Sequence, residues 1–264
     1  MPTDAERNAA FYDELAAHYD AHLTNPHDAL ARSAFQDLVA RYVASGSTLL
    51  DFGCGTGVDA LEYARRGYRV LAYDNSAGMV AELERRCRNE IAVGAILPHS
   101  TGYSAFLKQW PQWPAPSAVV ANFAVLNSIR DPEPLFETFA QHLAPPGWVI
   151  VSVLNPIHWT QLSAPRWWRN ALRARGGPAV YLTQPYTSYL HFVRSLVKSA
   201  RQFHLTGRAN AGSLVRYDEI LPGNKQLWWG KEDSQTGPRA RVLWSTPAHR
   251  LLGHFVFLVF RRDG

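Results

Sequence analysis

Three glycines alternate with other residues at Gly53, Gly55 and Gly57, directly after an acid at Asp51. Glycine allows a backbone turn to come close to a ligand, because no Cβ stands in the way, and the following helix start presents N–H groups. A second acid, Asp74, ends the next apolar segment, where a carboxylate can accept both hydroxyls of a ribose. These residue types at this spacing predict a site for a nucleoside-containing cofactor.

The spacing of the glycines separates two classes of such cofactors. Dinucleotide-binding turns read G-x-G-x-x-G, whose third glycine would stand at position 58, and that residue is Val58. The pattern here is G-x-G-x-G, led by Asp51, whose charge repels a pyrophosphate but suits the ammonium group of a methionine. The turn therefore favours S-adenosylmethionine over NAD, which is retained as a less favoured alternative with oxidoreductase chemistry.

The elements that must position these residues alternate along the chain. Before the turn, apolar residues recur at helical spacing from Phe11 to Leu23 and from Leu30 to Tyr42. Strands are predicted over 48–52, 69–73, 91–97, 117–121 and 148–154, with helices over 58–66, 76–89 and 133–143 between them. Further helices are predicted over 157–174 and 186–200, and further strands over 202–207 and 254–261. The alternation predicts an α/β fold with a doubly wound, mostly parallel seven-stranded sheet, N-terminal helices and a helical insertion after the fifth strand.

At this point several segments resemble one family. The segment from Asp51 to Gly57 resembles motif I of class I S-adenosylmethionine-dependent methyltransferases, and Tyr73 to Ser76 with Met79 resembles motif II. Segments similar to the family's fourth strand and the turn before its fifth stand at 122–131 and 145–148, and tyrosine pairs typical of small-molecule members stand at 11–13 and 18–20. The resemblance covers residues 8–155 and implies a Rossmann-like fold and methyl transfer.

The resemblance also implies which residues hold the cofactor. These are Tyr19, Asp51, Gly53, Cys54, Gly55, Asp74, Asn75, Met79, Ser100, Asn122 and Ala124. By the same resemblance, Asp51 and Gly53 hold the methionine portion, Asp74 binds the ribose, and Asn75 and Met79 flank the adenine. The chain departs from the family after its third strand, where an acid usually accepts the adenine amine. Here that segment reads Leu-Pro-His-Ser-Thr, which leaves Ser100 or a backbone carbonyl for this contact.

Catalytic and acceptor-binding residues are predicted beyond the fourth and fifth strands. His158 as base or substrate contact, Asn127 as a polarising group and His22 as a cap on the pocket are the candidate catalytic residues. In the insertion, aromatic and basic side chains suit a flat or lipophilic acceptor with an anionic group. The residues predicted to bind the acceptor are Trp159, Arg166, Trp167, Trp168 and Tyr186. The alternative is that these aromatic side chains only bury the inserted helices.

Composition limits the class of protein and its partners. Residues 1–154 hold 17 acidic and 11 basic side chains, whereas residues 155–245 hold 4 and 13. The basic half keeps RNA modification open as a second hypothesis, although no RNA-binding module is recognisable and no stable nucleic-acid partner is expected. The chain has two cysteines, no signal-like segment and no apolar run of transmembrane length, which predicts a cytoplasmic protein. No third ligand stands beside His18 and His22, so no metal site is predicted. The expected partner is a small-molecule acceptor.

The organisation predicted from these observations is one methyltransferase domain in four parts. An N-terminal helical cap covers residues 1–46, and a cofactor-binding core covers residues 47–154. A helical roof over the substrate covers residues 155–200, and terminal strands and loops cover residues 201–264. The predicted function is methylation of an oxygen, nitrogen or carbon centre of a small aromatic, lipophilic or anionic metabolite.

Overall fold

The computed structural model describes residues 2–22, 26–158, 162–163, 165–173, 179–182, 185–211 and 253–263. The strands are β1 (Thr48–Phe52), β2 (Arg69–Asp74), β3 (Ile96–Ser100), β4 (Ala118–Ala121), β5 (Gly147–Leu154), β6 (Ala179–Leu182), β7 (Ser188–Leu190), β8 (His204–Ala211) and β9 (Phe255–Arg262). Seven of them form one sheet in the order β3-β2-β1-β4-β5-β9-β8, and β6 and β7 form a separate antiparallel pair. The predicted mostly parallel, seven-stranded sheet is confirmed.

Helices flank the sheet on both faces. They are α1 (Asp4–Leu15), α2 (Tyr19–His22), α3 (Pro26–Tyr42), α4 (Val58–Arg65), α5 (Ala77–Arg86), α6 (Arg88–Ala92), α7 (Tyr103–Lys108), α8 (Glu133–His142), α9 (Pro165–Arg173) and α10 (Val193–Ser199). A 3-10 turn at Ala16–His18 joins α1 to α2, and a second one at Val125–Ser128 follows β4. The first helix begins with a capping box, in which the Thr3 hydroxyl accepts from Glu6 N–H and the Glu6 carboxylate accepts from Thr3 N–H.

Alternation along the strands produces two separate cores. Neighbouring residues of a strand point to opposite faces, so Leu49 packs on one side of the sheet and Leu50 on the other, and both are fully buried. The first core lies under α3 and α4, where the Phe35 and Phe257 rings lie 5.2 Å apart. The second lies under α7, α8 and α10 and includes Phe136. Because the five strands β1 to β5 run parallel, their carboxyl ends meet at one edge of the sheet.

Several segments differ from the sequence-based prediction: the helix predicted over 157–174 does not include Ile157, which lies in a turn, and α7 and β6 were not predicted. Two further differences change the type of element. Residues 91–97 were expected as one strand, but Ile91 and Ala92 end α6, Gly94 turns with φ +72°, and the strand begins at Ile96. A short apolar run does not distinguish a helix end from a strand, so the boundary was placed five residues early. Residues 186–200 were expected as a helix, but Ser188–Leu190 pairs with β6 and the helix begins at Val193.

Candidate functional site

The glycine turn after β1 is held against β2 by its own backbone. The N–H groups of Gly53 and Cys54 both donate to the Tyr73 carbonyl, at 2.7 and 2.9 Å. Gly53, Gly55 and Gly57 all have left-handed backbones, with φ of +78°, +53° and +83°. Only glycine adopts this conformation without steric cost. The turn therefore requires glycine at all three positions before any ligand is considered.

The three glycines differ in the free space where a Cβ would stand, and this space is open only at Gly55. A Cβ on Gly53 would lie 2.5 Å from the methyl carbons of Val125, and one on Gly57 would lie 2.7 Å from Leu83 Cγ. A Cβ on Gly55 would meet nothing within 4 Å. Gly53 and Gly57 therefore serve close packing inside the protein. The open side of Gly55 is where a ligand can come close to the backbone.

Asp74, at the carboxyl end of β2, is fixed by backbone donors. Its Oδ2 accepts from Gly55 N–H at 2.9 Å and its Oδ1 accepts from Ser76 N–H at 3.0 Å. Burial raises the pKa of this carboxyl above its ordinary value, and these N–H groups oppose the rise because they stabilise the charged form. Each carboxylate oxygen has a second lone pair, so Asp74 can accept two further hydrogen bonds from a bound ligand.

Asp51, at the carboxyl end of β1, has a carboxylate oxygen that nothing satisfies. The residue is 2% exposed, and its Oδ2 has no hydrogen-bond partner among the described residues. Burial raises its pKa well above the ordinary value, and the neighbouring charge of Asp59 raises it further. A buried carboxylate without a partner is costly, so this oxygen can accept a hydrogen bond from a donor on a ligand.

A buried network that the sequence did not indicate stands beside Asp51. Asp59 of α4 accepts from Arg32 Nη1 at 2.5 Å, from Gln36 Nε2 at 2.7 Å and from Asn122 Nδ2 at 3.2 Å. The Arg32 guanidinium carbon also lies 4.3 Å from the centroid of the Phe123 ring. Asn122, predicted on the methionine side, is thus oriented by Asp59. The only signal in the sequence was an acid on a helix face that is otherwise apolar, next to Ala60 and Tyr63.

The N-terminal segment, residues 4–22, lies over the glycine turn and the start of α5. Asp13 Oδ1 accepts from the Ser76 hydroxyl at 2.6 Å and from Gly78 N–H at 2.8 Å. Asp20 Oδ1 accepts from the Thr56 hydroxyl at 2.7 Å, and its other oxygen pairs with Arg86. Asp13 and Asp20 therefore hold the N-terminal segment against the carboxyl edge of the sheet, where the sequence predicts the cofactor; we call it the cofactor edge.

Tyr19 belongs to the same segment. Its hydroxyl is held protonated, because burial raises its pKa to about 12, although the charge of Arg32 opposes the rise. Its ring lies 6.1 Å from that of Tyr12, in an edge-on arrangement. Tyr19 precedes Asp20, whose carboxylate accepts from the Thr56 hydroxyl in the glycine turn, so Tyr19 belongs to the segment that contacts this turn.

The remaining predicted cofactor residues follow β2, β3 and β4. Asn75 donates from Nδ2 to the Ala5 carbonyl at 3.2 Å, so α1 holds its amide, while Met79 is 2% exposed beneath it. Ser100 is exposed and pairs in register with Asp74. Ala124 has φ +62° and donates from N–H to a carbonyl of β5 at 3.1 Å. The structure brings these residues to one edge of the sheet.

The predicted catalytic residues occupy different surroundings. His158 is 1% exposed and its ring centroid lies 5.4 Å from that of His254. Burial and the neighbouring His158 lower the pKa of His254 to about 3, so that ring is neutral at physiological pH. Asn127 Oδ1 accepts from Leu154 N–H at 3.0 Å, and its Nδ2 donates to the carbonyl of Tyr189. His22 ends α2, and its side chain lies outside the described part of the chain.

The predicted acceptor-binding residues also occupy different surroundings. Trp167 is 8% exposed and Trp168 is 51% exposed, and their rings meet edge-on at 4.7 Å. Tyr186 stacks on Phe11 of α1, with centroids 5.1 Å apart. Trp159 and the side chain of Arg166 lie outside the described residues.

The strand pair β6–β7 is fastened to α1, a connection that the sequence did not indicate. Asn8 donates from Nδ2 to the Thr187 carbonyl at 2.9 Å and accepts from Thr187 N–H at 2.8 Å. The hydroxyl of Tyr189 donates to Asp4. We call α9 with β6 and β7 the roof. Since Asn127 also binds Tyr189, the roof contacts both the N-terminal segment and the turn after β4.

No helix among these described elements has both the length and the apolar character to cross a bilayer. Nor do the described residues contain a cluster of three or more His, Cys, Asp or Glu side chains that could hold a metal ion. Cys54 and Cys87 are buried free thiols.

Comparison with known proteins shows the family of the chain. The model of a family described as a methyltransferase domain matches residues 27–184. A ubiquinone biosynthesis O-methyltransferase of Caulobacter vibrioides is 29% identical over 167 residues, which cover 58% of this chain and 63% of the relative. A demethylmenaquinone methyltransferase of Thermobifida fusca is 39% identical over 83 residues, 30% of this chain and 34% of that protein. The chain thus matches less than two thirds of the length of these relatives.

Solved structures show the same fold at low identity. The [4+2]-cyclase SpnF superposes with a TM-score of 0.65 at 18% identity, covering 99% of this chain and 97% of that one. The CcbJ methyltransferase from Streptomyces caelestis superposes with a TM-score of 0.62 at 16% identity, covering 96% and 98%. These similarities confirm the predicted class I methyltransferase fold.

Proposed function

The chain belongs to the methyltransferase domain family, and from that premise we propose that it transfers a methyl group from S-adenosylmethionine to a small aromatic or lipophilic metabolite. The observation that carries the proposal is the buried Asp51 carboxylate, whose Oδ2 has no partner in the described structure, beside a glycine turn that is open at Gly55. An ammonium group is the donor that such an oxygen favours.

The residues at this edge fit the cofactor. Asp51 would take the ammonium group of the methionine, and Asp74 would accept the two ribose hydroxyls. The backbone at Gly55 would lie against the nucleoside, since no side chain fills that space. The bound cofactor supplies an electrophilic methyl group on a sulfonium.

The chain's own contribution is to orient the reactants and to exclude water. In-line displacement at a methyl group needs no covalent intermediate, so holding the acceptor in line contributes most of the rate acceleration. The N-terminal segment, anchored at Asp13 and Asp20, closes the cofactor edge from one side. The roof, anchored through Asn8 and Asn127, closes it from the other.

Aromatic rings between α1 and the segment before β7 support an aromatic acceptor. Phe11, Tyr12 and Tyr186 form a group of rings with centroids 5.1 to 5.8 Å apart. Flat aromatic faces favour a planar ligand. The names of the quinone-pathway relatives agree with an aromatic acceptor, methylated at oxygen or carbon.

A proton acceptor is needed where the methylated atom is a hydroxyl. We propose His158 for this role, because it follows β5, where acceptors reach the carboxyl edge of such sheets. Its ring centroid lies 5.4 Å from that of His254, which is neutral at physiological pH because burial and the neighbouring His158 lower the pKa of His254 to about 3. Asn127 and His22 stay candidates for positioning and for closing the pocket. We also propose a cytoplasmic location, consistent with two reduced, buried cysteines.

Calorimetry with S-adenosylmethionine and with NADH tests the cofactor assignment. We expect micromolar binding of S-adenosylmethionine and a loss of at least tenfold in Asp74→Ala, which removes a charged acceptor of hydrogen bonds. Tighter binding of NADH would contradict the proposal. Incubation with hydroxylated aromatic compounds, followed by mass spectrometry for a methyl gain, then identifies the acceptor.

A further inference from the structure

Two adjacent indoles of the roof differ in their hydrogen bonding. Trp168 donates from Nε1 to the Leu162 carbonyl at 2.6 Å although its ring is half exposed. Trp167 is 8% exposed, and its Nε1 has no hydrogen-bond partner in the described part of the chain. Buried polar groups are almost always paired, because water is not available to replace a missing partner. Of the two indoles, the one without a partner is the one that water cannot reach.

Trp167 lies beside the segment that contacts the turn after β4. Its ring centroid lies 6.4 Å from that of Phe192, and the preceding His191 contacts the carbonyls of Leu126 and Ile129 through Nε2 at 3.2 and 2.8 Å. Trp167 packs in the same core as Leu154 and Phe255, the residues that pair at the carboxyl end of β5. The same core includes Leu190 of β7, which adjoins Tyr189, the residue bound by Asn127. The turn that carries Asn127 also carries Val125, whose methyl groups lie against Gly53 of the glycine turn. Trp167 is therefore linked through the roof to the turn that lies against Gly53.

Asp51 and Trp167 each have a buried polar atom without a hydrogen-bond partner among the described residues, and the two atoms are of opposite character. Asp51 Oδ2 is an acceptor, and Trp167 Nε1–H is a donor. The first is matched to the ammonium group of the proposed cofactor. The second cannot serve a cation, because an indole nitrogen donates only. Its partner must be an atom with a lone pair, such as an oxygen of a second ligand.

We propose that the indole N–H of Trp167 donates a hydrogen bond to an oxygen of the methyl acceptor and selects acceptors that carry such an oxygen. This inference rests on the proposed function, since it assigns the donor to the second substrate of that reaction. The ligand class is an aromatic compound with a hydroxyl, carbonyl or carboxylate oxygen. An analogue without this oxygen leaves the indole unpaired and is rejected more strongly than its lost contact area implies.

The first test asks whether the N–H is unpaired in the free protein. Replacing Trp167 by 3-benzothienylalanine keeps the size of the ring and removes the donor. Since a buried donor without a partner destabilises the fold, we expect the melting temperature to rise by about 2–4 °C. The same replacement at Trp168 removes its bond to Leu162 and should leave the melting temperature unchanged or lower it. A lower melting temperature for the Trp167 replacement would show an existing partner and overturn the proposal.

The second test asks whether an acceptor supplies the partner, with catechol as the probe and toluene as its counterpart without oxygen. In protein labelled with ¹⁵N at the indole nitrogens, the signal missing from Trp167→Phe identifies Trp167. With S-adenosylhomocysteine present, we expect catechol to move this N–H proton downfield and toluene to leave it in place. Trp167→Phe should weaken catechol binding about tenfold, and Trp148→Phe, at the amino end of β5, should not. An unmoved signal, or equal weakening by both variants, would refute the proposal.

The two proposals fail in different ways. S-adenosylmethionine affinity is measured on the same samples, and we expect Trp167→Phe to leave it unchanged. If the unsubstituted protein binds no S-adenosylmethionine, the proposed function is wrong. If it binds S-adenosylmethionine normally while catechol does not move the indole signal, only the inference about Trp167 is wrong.

Discussion

Gly53 and Gly55 stand two positions apart in one turn, yet their substitution by alanine should have different consequences. Both have positive φ, so Gly53→Ala and Gly55→Ala should each lose about 1–2 kcal/mol of stability from backbone strain. Gly53→Ala also places a methyl group against Val125 and should lose about 1–3 kcal/mol more.

Gly55→Ala should instead affect the ligand, since its methyl group projects into the open space of the turn. We expect this variant to bind S-adenosylmethionine more weakly than its small loss of stability explains. Denaturant unfolding and calorimetry on both variants measure the two effects. If Gly53→Ala and Gly55→Ala lost the same cofactor affinity for each kcal/mol of lost stability, the two glycines would not differ in their effect on the ligand.

Asp51 makes cofactor affinity depend on pH. Its pKa in the free protein is raised by burial and by Asp59 and Asp74, while Arg32 opposes the rise. A cationic ligand stabilises the charged form, so binding releases a proton wherever the free carboxyl is protonated. We therefore expect affinity for S-adenosylmethionine to fall as pH decreases through the raised pKa, and to level off above it.

Calorimetry across the acid range, in buffers with different ionisation enthalpies, measures both the affinity and the protons released. Asp51→Asn cannot ionise, so it should bind more weakly and with a flatter pH profile. If the affinity of Asp51→Asn for S-adenosylmethionine changed with pH as steeply as that of the unsubstituted protein, the titrating group would be a different residue.

Among the site residues, the sequence predicted those whose position follows from a strand end and missed those that are held by contacts between distant helices. Asp51 and Asp74 lie at the carboxyl ends of neighbouring strands and Gly55 lies just beyond the first of them, and a parallel sheet necessarily brings such ends together. The pairing of Asp59 with Arg32 joins α4 to α3 across 27 positions of the chain. No periodicity encodes such a contact, because it depends on how one helix packs beside another.

Among the elements, α1 and the roof are coupled by the side chain of Asn8. Asn8→Ala removes two hydrogen bonds and leaves the N–H and carbonyl of Thr187 without their partner. We expect a loss of about 2–3 kcal/mol of stability and faster amide exchange over residues 185–191. Arg85→Ala, which removes an exposed pair with Glu82, is the control and should change stability by less than about 1 kcal/mol. Unchanged exchange in Asn8→Ala would mean that α1 does not support the roof.

The prediction of elements failed where tertiary contacts override local patterns. Ser188–Leu190 is too short to show alternation, and its strand geometry comes from pairing with β6 and from the bonds to Asn8 and Asn127. Longer elements with clear apolar periodicity, such as β5 and α8, were placed within one residue at each end. Length and periodicity therefore determined which elements were predictable.

For the whole molecule, ligand binding should appear as increased stability, since the cofactor edge is built from α1, β1, β2, β4 and α5 together. A ligand that binds only the folded state at one hundred times its Kd adds about 2.7 kcal/mol. Saturating S-adenosylmethionine should therefore raise the melting temperature by about 5–10 °C. NADH at equal concentration is the control and should shift it far less; an equal shift would point to a general nucleotide site.

The position of β9 in the sheet affects how the protein is made. This strand lies between β5 and β8 and pairs with both, and its contact between Leu154 and Phe255 joins positions about one hundred residues apart. During translation, β5 is synthesised long before its partner and exposes an unpaired edge until the last strand has left the ribosome. The nascent chain thus carries an aggregation-prone edge between the synthesis of β5 and that of β9, so production of this protein should benefit from chaperones, and slower translation should increase aggregation.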